Sequence, residues 1–187
     1  MGLFGVIKEM LNFRKELKRS IQEEKEKLER YLAMSREELS ALSDGELLDA
    51  AILRTESIIE KYDEWADGVN SLNPSQKVLY SLVWLGMEVN NGGLCQFFVN
   101  SSRMVAPFIS EYMELVGAHE HKQLYDGFVQ KHGIDLCDLS FFDVDKAEEF
   151  EQKANSYPFD EYDDAFYDME PIGTYLKKFV REHLEDL

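Results

Sequence analysis

The stretch that decides the fold is residues 74–100, PSQKVLYSLVWLGMEVNNGGLCQFFVN. It predicts a helix over about residues 75–90 that is apolar on nearly all sides, and such a helix is buried over most of its surface. The Asn-Asn-Gly-Gly run at 90–93 ends this helix, because Asn and Gly accept the left-handed conformation of a helix C-terminus. A short, aromatic-rich helix over 94–99 follows. The sequence therefore predicts a buried central pair of helices around which the rest of the chain packs.

Two capping boxes precede this pair, Ser-Arg-Glu-Glu at 35–38 and Ser-Asp-Gly-Glu at 43–46. In each box the Ser hydroxyl accepts from a first-turn N–H, and the last Glu reaches back to the cap. The boxes predict a short helix over 36–41 and a longer one over 44–66. Gly68 and the residues after it predict a loop before the proline that starts the central helix.

Helical patterns also follow the central pair. They cover about residues 104–117, 118–131, 143–155, with Asp143 as its cap, and 159–170, and a last helix begins after Pro171. Neither strand-like alternation nor a tandem repeat is present in the sequence. The predicted class is all-α, a compact multi-helix domain around a buried central helix.

A long N-terminal helical arm is predicted over residues 1–34, ahead of a single acidic all-α domain over residues 35–187. Apolar residues recur along the arm at spacings of three and four, as in a heptad seam: Leu3, Ile7, Met10, Leu17, Ile21, Leu28 and Tyr31. Such a seam packs on its own domain, pairs with a second subunit or lies on a membrane surface. The near-neutral charge of the arm argues against the membrane, which favours packing or dimerisation.

The net charge of −17 is distributed unevenly along the chain. Residues 1–40 hold nine Lys/Arg and eight Asp/Glu, whereas residues 135–170 hold thirteen Asp/Glu and two Lys, a net −11. Such a surface repels nucleic acids and anionic membranes and attracts basic partners. The simpler alternative is an acidic protein that its charge keeps soluble.

Cysteine usage and hydropathy predict a cytoplasmic protein. Cys95 and Cys137 lie far apart without metal-site spacing, which is typical of a reducing compartment. The first ten residues lack the basic region of a signal peptide. Nowhere does the chain approach the roughly 20 uninterrupted apolar residues that span a membrane.

The sequence contains no catalytic constellation. A phosphate loop, a dinucleotide-binding turn, a nucleophile elbow and an HExxH motif are all missing. His119 and His121 diverge on a helix, so they do not form a metal pair, and the histidines are expected at the surface. Cys95 lies in an apolar context that keeps a thiol inert. The acids over 160–170 lack the alternating ligands and glycine turn of a calcium loop. No enzyme activity, metal or cofactor is predicted.

Four polar residues near the glycine break form the most informative set: Glu88, Asn91, Gln96 and Asn100. One interpretation is a pocket that binds or processes a small molecule. The other is structural, because amides beside a glycine break commonly satisfy backbone groups. The structural interpretation is favoured.

The string Glu88-Val-Asn-Asn91-Gly92-Gly93-Leu-Cys-Gln96-Phe97-Phe98-Val-Asn100 resembles the signature of a bacterial family of small acidic helical proteins, best known for a DNA mimic. Val-Gly-Ala at 116–118, the D-x-x-F-Y element within 159–167 and the final helix are similar to the same family. The resemblance covers about residues 74–183. It assigns the signature residues, including Gly92, Gly93, Phe97 and Phe98, to the structural motif of the family.

The resemblance implies a dimer-forming protein without enzymatic activity, whose acidic surface occupies the DNA-binding face of a basic partner such as a transcription factor. Direct contact with nucleic acid or membrane is not expected. The residues predicted to bind the partner are the acids of the two late helices: Asp143, Asp145, Glu148, Glu149, Glu151, Asp160, Glu161, Asp163, Asp164, Asp168 and Glu170. Two alternatives remain, the small-molecule or hydrolytic pocket and a structural or immunity-type module that assembles through the arm.

Overall fold

The computed structural model describes residues 3–187, with side chains over 13–146 and 148–187. Helices account for all the regular structure of this part of the chain, which confirms the all-α class. The α-helices are α1 Leu3–Ala33, α2 Arg36–Ser40, α3 Asp44–Ile59, α4 Trp65–Ser71, α5 Pro74–Val99, α6 Ile109–Val116, α7 His119–His132, α8 Ala147–Ala154, α9 Phe159–Tyr167 and α10 Ile172–Glu182. Two 3-10 helices cover Ser101–Phe108 and Ser140–Phe142.

Helix α5 is the centre of the domain. It packs against α3, α6, α8, α9 and α10, and Leu79, Leu82, Leu85 and Val89 on it are fully buried. It begins with a capping box in which Asn73 accepts from the Gln76 N–H and the Gln76 side chain accepts from the Asn73 N–H. Pro74 occupies the first turn, where the absent N–H costs nothing.

The predicted break in this helix lies at Gly92 and Gly93. Their φ/ψ angles are −158°/24° and 80°/176°, which are not helical, and α5 therefore consists of two helical halves joined at a kink. Of these two glycines, Gly93 alone has a positive φ, in a region that side-chain-bearing residues rarely adopt. At this residue the backbone departs from the regular helical path.

The arm α1 contacts the body through its C-terminal end. Tyr31 is 1% exposed, and its backbone carbonyl accepts from Arg54 Nη1 of α3 at 2.9 Å. One turn earlier, Lys27 pairs with Asp49 of α3 at 2.9 Å. In contrast, residues 13–26 are exposed throughout. The seam members Leu3, Ile7 and Met10 lie outside the described side chains.

Both capping boxes predicted before α5 are present, but the helix after the second box is shorter than expected. Helix α3 ends at Ile59, and Gly68 lies in α4 rather than in a loop. A Cβ at Gly68 would lie 2.8 Å from the Ile59 carbonyl oxygen. Glycine thus allows α4 to cross closely over the end of α3, so this residue serves packing and not a turn.

Two further predictions about helix starts were wrong. Asp143 does not cap α8, because the helix begins later, with Lys146 as its N-cap; the Asp143 carboxylate is paired with Arg103 instead. The segment after Asn100 forms a 3-10 helix with Pro107 inside it before α6 begins. Among the helices of the described residues, none is long and apolar enough to cross a membrane.

Candidate functional site

Most of the predicted acids form one exposed set on and beside α8 and α9. Seven are exposed, and their carboxylates make no hydrogen bond or ion pair within the described part of the chain: Asp145, Glu148, Glu151, Asp160, Glu161, Asp164 and Asp168. We call these seven residues the acidic face. Ion pairs within the described residues therefore do not neutralise their negative charge.

The spacing on α9 follows from its buried side. Phe159, Tyr162 and Phe166 face the core, which places Glu161, Asp164 and Asp168 on the outer side. Residues three and four apart on a helix have Cβ atoms about 5–6 Å apart. The outer side of α9 and the residue that follows it therefore carry a row of carboxylates on a rigid support.

Few cations lie close in sequence to these carboxylates. Residues 135–170 contain only two, Lys146 and Lys153. Lys153 Nζ lies 4.0 Å from the centroid of the Phe141 ring, a cation–π contact. The Lys153 ammonium group therefore contacts an aromatic ring and does not pair with a carboxylate of the acidic face.

The other four predicted acids are engaged within the protein. Asp143 pairs with Arg103. Glu149 Oε2 accepts from the Asp145 N–H at 2.7 Å, and Glu170 Oε1 accepts from the Thr174 hydroxyl at 2.7 Å. Asp163 is half-buried against α5. These contacts give each of the four a role in the fold and remove them from the set of free carboxylates.

Asp163 and Tyr167 of α9 bind the two sides of the break in α5. Asp163 Oδ1 accepts from the Leu94 N–H at 2.8 Å, at the start of the second helical half. The Tyr167 hydroxyl donates to the Val89 carbonyl oxygen at 2.6 Å, a carbonyl that would face the Gly93 N–H in an unbroken helix. One donor and one acceptor released by the kink are therefore both satisfied by α9.

Burial raises the pKa of Asp163, and the neighbouring charges of Asp160 and Asp164 add to the effect, while the Leu94 N–H opposes it. The close approach also explains Gly93, where a Cβ would lie 2.1 Å from Asp163 Oδ2. A side chain at this position would displace the carboxylate. The sequence alone offers no signal for this contact, because the two residues are 69 positions apart.

Glu88 joins the two halves of α5 from the other side. Its buried carboxylate accepts from Gln96 Nε2 at 2.5 Å and from Asn100 Nδ2 at 2.9 and 3.0 Å. Ser102, which the sequence did not single out, donates its hydroxyl at 3.1 Å. The Gln96 and Asn100 amides thus have a structural role, as expected. However, they bind the Glu88 carboxylate and not the backbone groups predicted from the sequence. Asn91 is exposed outside this cluster.

The two signature phenylalanines belong to the core. Phe97 and Phe98 are fully buried. The Phe98 ring lies 5.1 Å from Phe142 and 6.3 Å from Phe159 between ring centroids. Phe98 therefore joins the short helical half to α9 and to the 3-10 turn before α8, and both carry or flank the acidic face.

A groove of about 920 Å³ runs beside the Glu88 cluster, between α5 and the segments of α3, α9 and α10. Trp84, Met87 and Ile172 contribute to its mostly apolar walls, and all four residues of the pocket hypothesis border it. The cavity that the hypothesis requires is thus present. However, three side chains already donate to both oxygens of Glu88, and we assign this carboxylate to holding the kink together.

Two of the residues considered for chemistry lie in the core. His121, expected at the surface, is 1% exposed, and neither ring nitrogen has a partner among the described groups. It packs edge-on against Phe166 and Tyr175, and burial lowers its pKa. Cys95 is buried, and desolvation raises the pKa of its thiol to about 12. The described residues contain no cluster of three His, Cys, Asp or Glu side chains suited to a metal ion.

A family model described as DMP19-like protein matches residues 70–183. The matched range contains the break in α5, the Glu88 cluster, α8 and α9, and it leaves α1 outside. The resemblance drawn from the signature string is confirmed by this match. No curated protein and no solved structure matches the chain significantly.

Proposed function

Because the chain belongs to the DMP19-like protein family, a family of DNA mimics, we propose that it is a non-enzymatic interaction protein whose acidic face occupies the DNA-binding surface of a basic protein such as a transcription factor. The observation that carries the proposal is the set of seven exposed carboxylates that have no hydrogen-bond or ion-pair partner among the described residues. The seven carboxylates lie on or beside two helices that are consecutive in the chain, α8 and α9, and this concentration favours a binding surface over acids that serve only solubility.

The physical basis is competition for phosphate-binding cations. B-DNA presents a negative charge about every 3.4 Å along one strand, and proteins neutralise it with Lys and Arg. The carboxylates of α9, at spacings of three and four residues, present charges at separations of the same order. Lys and Arg side chains that bind successive phosphates can therefore bind successive carboxylates. Long-range attraction accelerates such an encounter and weakens as salt screens it.

The experiment is affinity capture at low salt of basic DNA-binding proteins by the full chain, followed by a DNA-competition assay with each captured protein. We expect the chain to displace duplex DNA from its partner and to lose the partner as salt is raised. The triple variant Glu161→Lys, Asp164→Lys and Asp168→Lys should abolish capture. Its far-UV circular dichroism should stay unchanged, because all three side chains are exposed.

The matched control reverses three exposed acids elsewhere, Glu24, Glu111 and Glu120, so that the net charge changes equally. Retained capture by this control assigns binding to the acidic face. If both triple variants lose capture equally, the interaction depends only on the net charge of the chain and not on the acidic face. A partner that resists high salt, or one that binds DNA and the chain together, would overturn the mimicry proposal.

The dimer implied by the family resemblance is part of the proposal. Phe13, Leu17 and Ile21 of α1 are 65%, 49% and 60% exposed and offer an apolar surface to a second copy. Light scattering of the full chain and of Leu17→Glu/Ile21→Glu tests this, since these changes leave the Tyr31 contact in place. A dimer that persists in the double variant assigns assembly to the domain instead of the arm.

A further inference from the structure

A second cavity, of about 370 Å³, lies away from the acidic face. It is bounded by the end of α3, the start of α4, the first half of α5 and the 3-10 helix after α5. Three aromatic side chains, Trp65, Tyr80 and Trp84, form walls of this aromatic cavity, and two carboxylates, Glu56 and Glu60, border it. Its volume is at the lower end of the range typical of ligand sites, about 300–1,000 Å³.

The aromatic walls are held in a fixed arrangement. Trp65 Nε1–H donates to the Tyr80 hydroxyl oxygen at 2.8 Å, and the two ring centroids are 6.3 Å apart. The ring centroids of Tyr80 and Trp84 are 5.8 Å apart, and their ring planes are inclined at 54° to each other. Tyr80 itself is only 5% exposed. The faces of such rings carry negative charge density and attract cations.

The two carboxylates have no cation partner in the part of the chain that the structure describes. Glu56 and Glu60 lie one turn apart on the last residues of α3 and its C-cap, where like charges repel. Neither carboxylate has a hydrogen bond or ion pair with another described group. Glu56 is half-buried, and desolvation followed by the charge of Glu60 raises its pKa. A positive group in the cavity would relieve both the desolvation and the repulsion.

We propose that the aromatic cavity binds an organic cation with N–H groups, an ammonium or a guanidinium, enclosed by the Trp65, Tyr80 and Trp84 rings and paired with Glu56 and Glu60. The rings favour a cation over an apolar molecule of the same size. The carboxylates favour a cation that donates hydrogen bonds over a quaternary one. The group belongs either to a free alkylamine or to a Lys or Arg side chain of a peptide.

The test is a titration of the full chain followed by tryptophan fluorescence. The chain contains two tryptophans, and both line the cavity. The probes are n-butylammonium chloride, n-butylguanidinium chloride, tetramethylammonium chloride and neutral n-butanol, at equal ionic strength. We expect a saturable change with the first two salts, a weaker one with the quaternary ion and none with butanol. A response to butanol equal to that of the cations, or no saturable response, overturns the proposal.

The variant Glu56→Gln/Glu60→Gln should weaken cation binding by about tenfold or more, which corresponds to the loss of a charge pair in a partly desolvated site. The matched control, Glu111→Gln/Glu120→Gln, removes two charges at exposed positions outside the cavity and the acidic face and should bind the cations as the parent does. Unchanged binding by the cavity variant overturns the proposal.

A parallel titration with acetyl-Gly-Lys-Gly-amide and acetyl-Gly-Arg-Gly-amide identifies the source of the cation. Tighter binding of a peptide than of its free alkyl counterpart assigns the cavity to a protein side chain, and the reverse order assigns it to a small amine. Both orders support the site. If the chain binds none of these cations, the proposal for the acidic face still stands, because the aromatic cavity and α8–α9 share no residue.

Discussion

Asp163 Oδ1 accepts a hydrogen bond from the Leu94 N–H at 2.8 Å, and through this bond α9 caps the second half of α5. A helix N-terminus normally finds its acceptor in the preceding residues. Here the preceding residues are Gly92 and Gly93, which have no side chain to offer, and the cap comes from 69 residues away. The glycine break and the late acidic helix therefore form one structural unit.

Replacing Asp163 separates its role as an acceptor from its charge. Leu94 is fully buried, so Asp163→Ala leaves its N–H without an acceptor, at a cost of about 1–3 kcal/mol. Asp163→Asn keeps a carbonyl oxygen and removes a desolvated charge, so we expect a smaller loss. Urea unfolding followed by circular dichroism measures both.

The neighbouring Asp164 supplies the control for this pair. Its side chain is exposed, and Asp164→Ala should change the free energy of unfolding by no more than about 0.5 kcal/mol. Equal losses for Asp163→Ala and Asp164→Ala would show that the hydrogen bond to Leu94 contributes nothing to stability.

Glu88→Gln should destabilise the fold although it preserves the shape of the side chain. The new amide places an NH₂ group against the donors of Gln96 and Asn100, and at least one buried polar group loses its partner. The expected cost is about 1–3 kcal/mol by urea unfolding. Glu111→Gln, at an exposed position, serves as the reference.

The swapped variant Glu88→Gln/Gln96→Glu tests the same cluster by rescue. It restores a carboxylate–amide pair across the kink, whereas Asn100 and Ser102 still face an amide. We expect partial recovery of the stability lost in Glu88→Gln. Additive losses in the double variant would contradict the proposed pairing.

The sequence predicts the helices well where the signal is local. Both capping boxes, the apolar helix α5 and the glycine break depend on residues within a few positions of one another, and each is present. The all-α class follows from the same periodicity. Local signals do not determine how the elements pack. Gly68 resembles a loop residue until Ile59 is placed against it.

The candidate site shows the same difference between local signals, which the sequence contains, and contacts between distant residues, which it does not. The concentration of acids in α8 and α9 is visible in the sequence, yet their roles are not. Asp163 and Asp164 are adjacent and chemically identical, and only the neighbourhood of Leu94 makes one a cap and leaves the other free. Ser102 and the aromatic cavity escape prediction for the same reason, since their partners come from separate helices.

The two cysteines should differ strongly in reactivity. Cys95 is buried, and desolvation raises the pKa of its thiol to about 12, whereas Cys137 is exposed. Thiolates and not thiols are the nucleophiles. We expect one thiol per chain to react with a maleimide under native conditions and two in urea. Cys137→Ser should abolish the native reaction, and rapid native labelling of this variant would show that Cys95 becomes exposed in the folded protein.

His121 should make stability depend on pH below neutrality. Burial lowers its pKa in the folded protein below the ordinary value of 6.5, so the unfolded chain takes up this proton first as the pH falls. The contribution of neutral His121 is therefore complete above pH 6.5 and is lost as the pH falls towards the lower folded pKa. For the uptake of one proton, the free energy of unfolding changes by at most about 1.4 kcal/mol per pH unit.

Urea unfolding of the parent and of His121→Leu at about pH 7.5 and about pH 5.5 isolates this effect. Leu removes the titration while keeping an apolar side chain beside Phe166 and Tyr175, and all other titrating groups are common to both proteins. We expect the parent to lose more stability than His121→Leu between the two pH values. If His121→Leu loses as much stability as the parent, His121 accepts its proton equally well in the folded and unfolded chains, and its burial has no effect on the acid response of the fold.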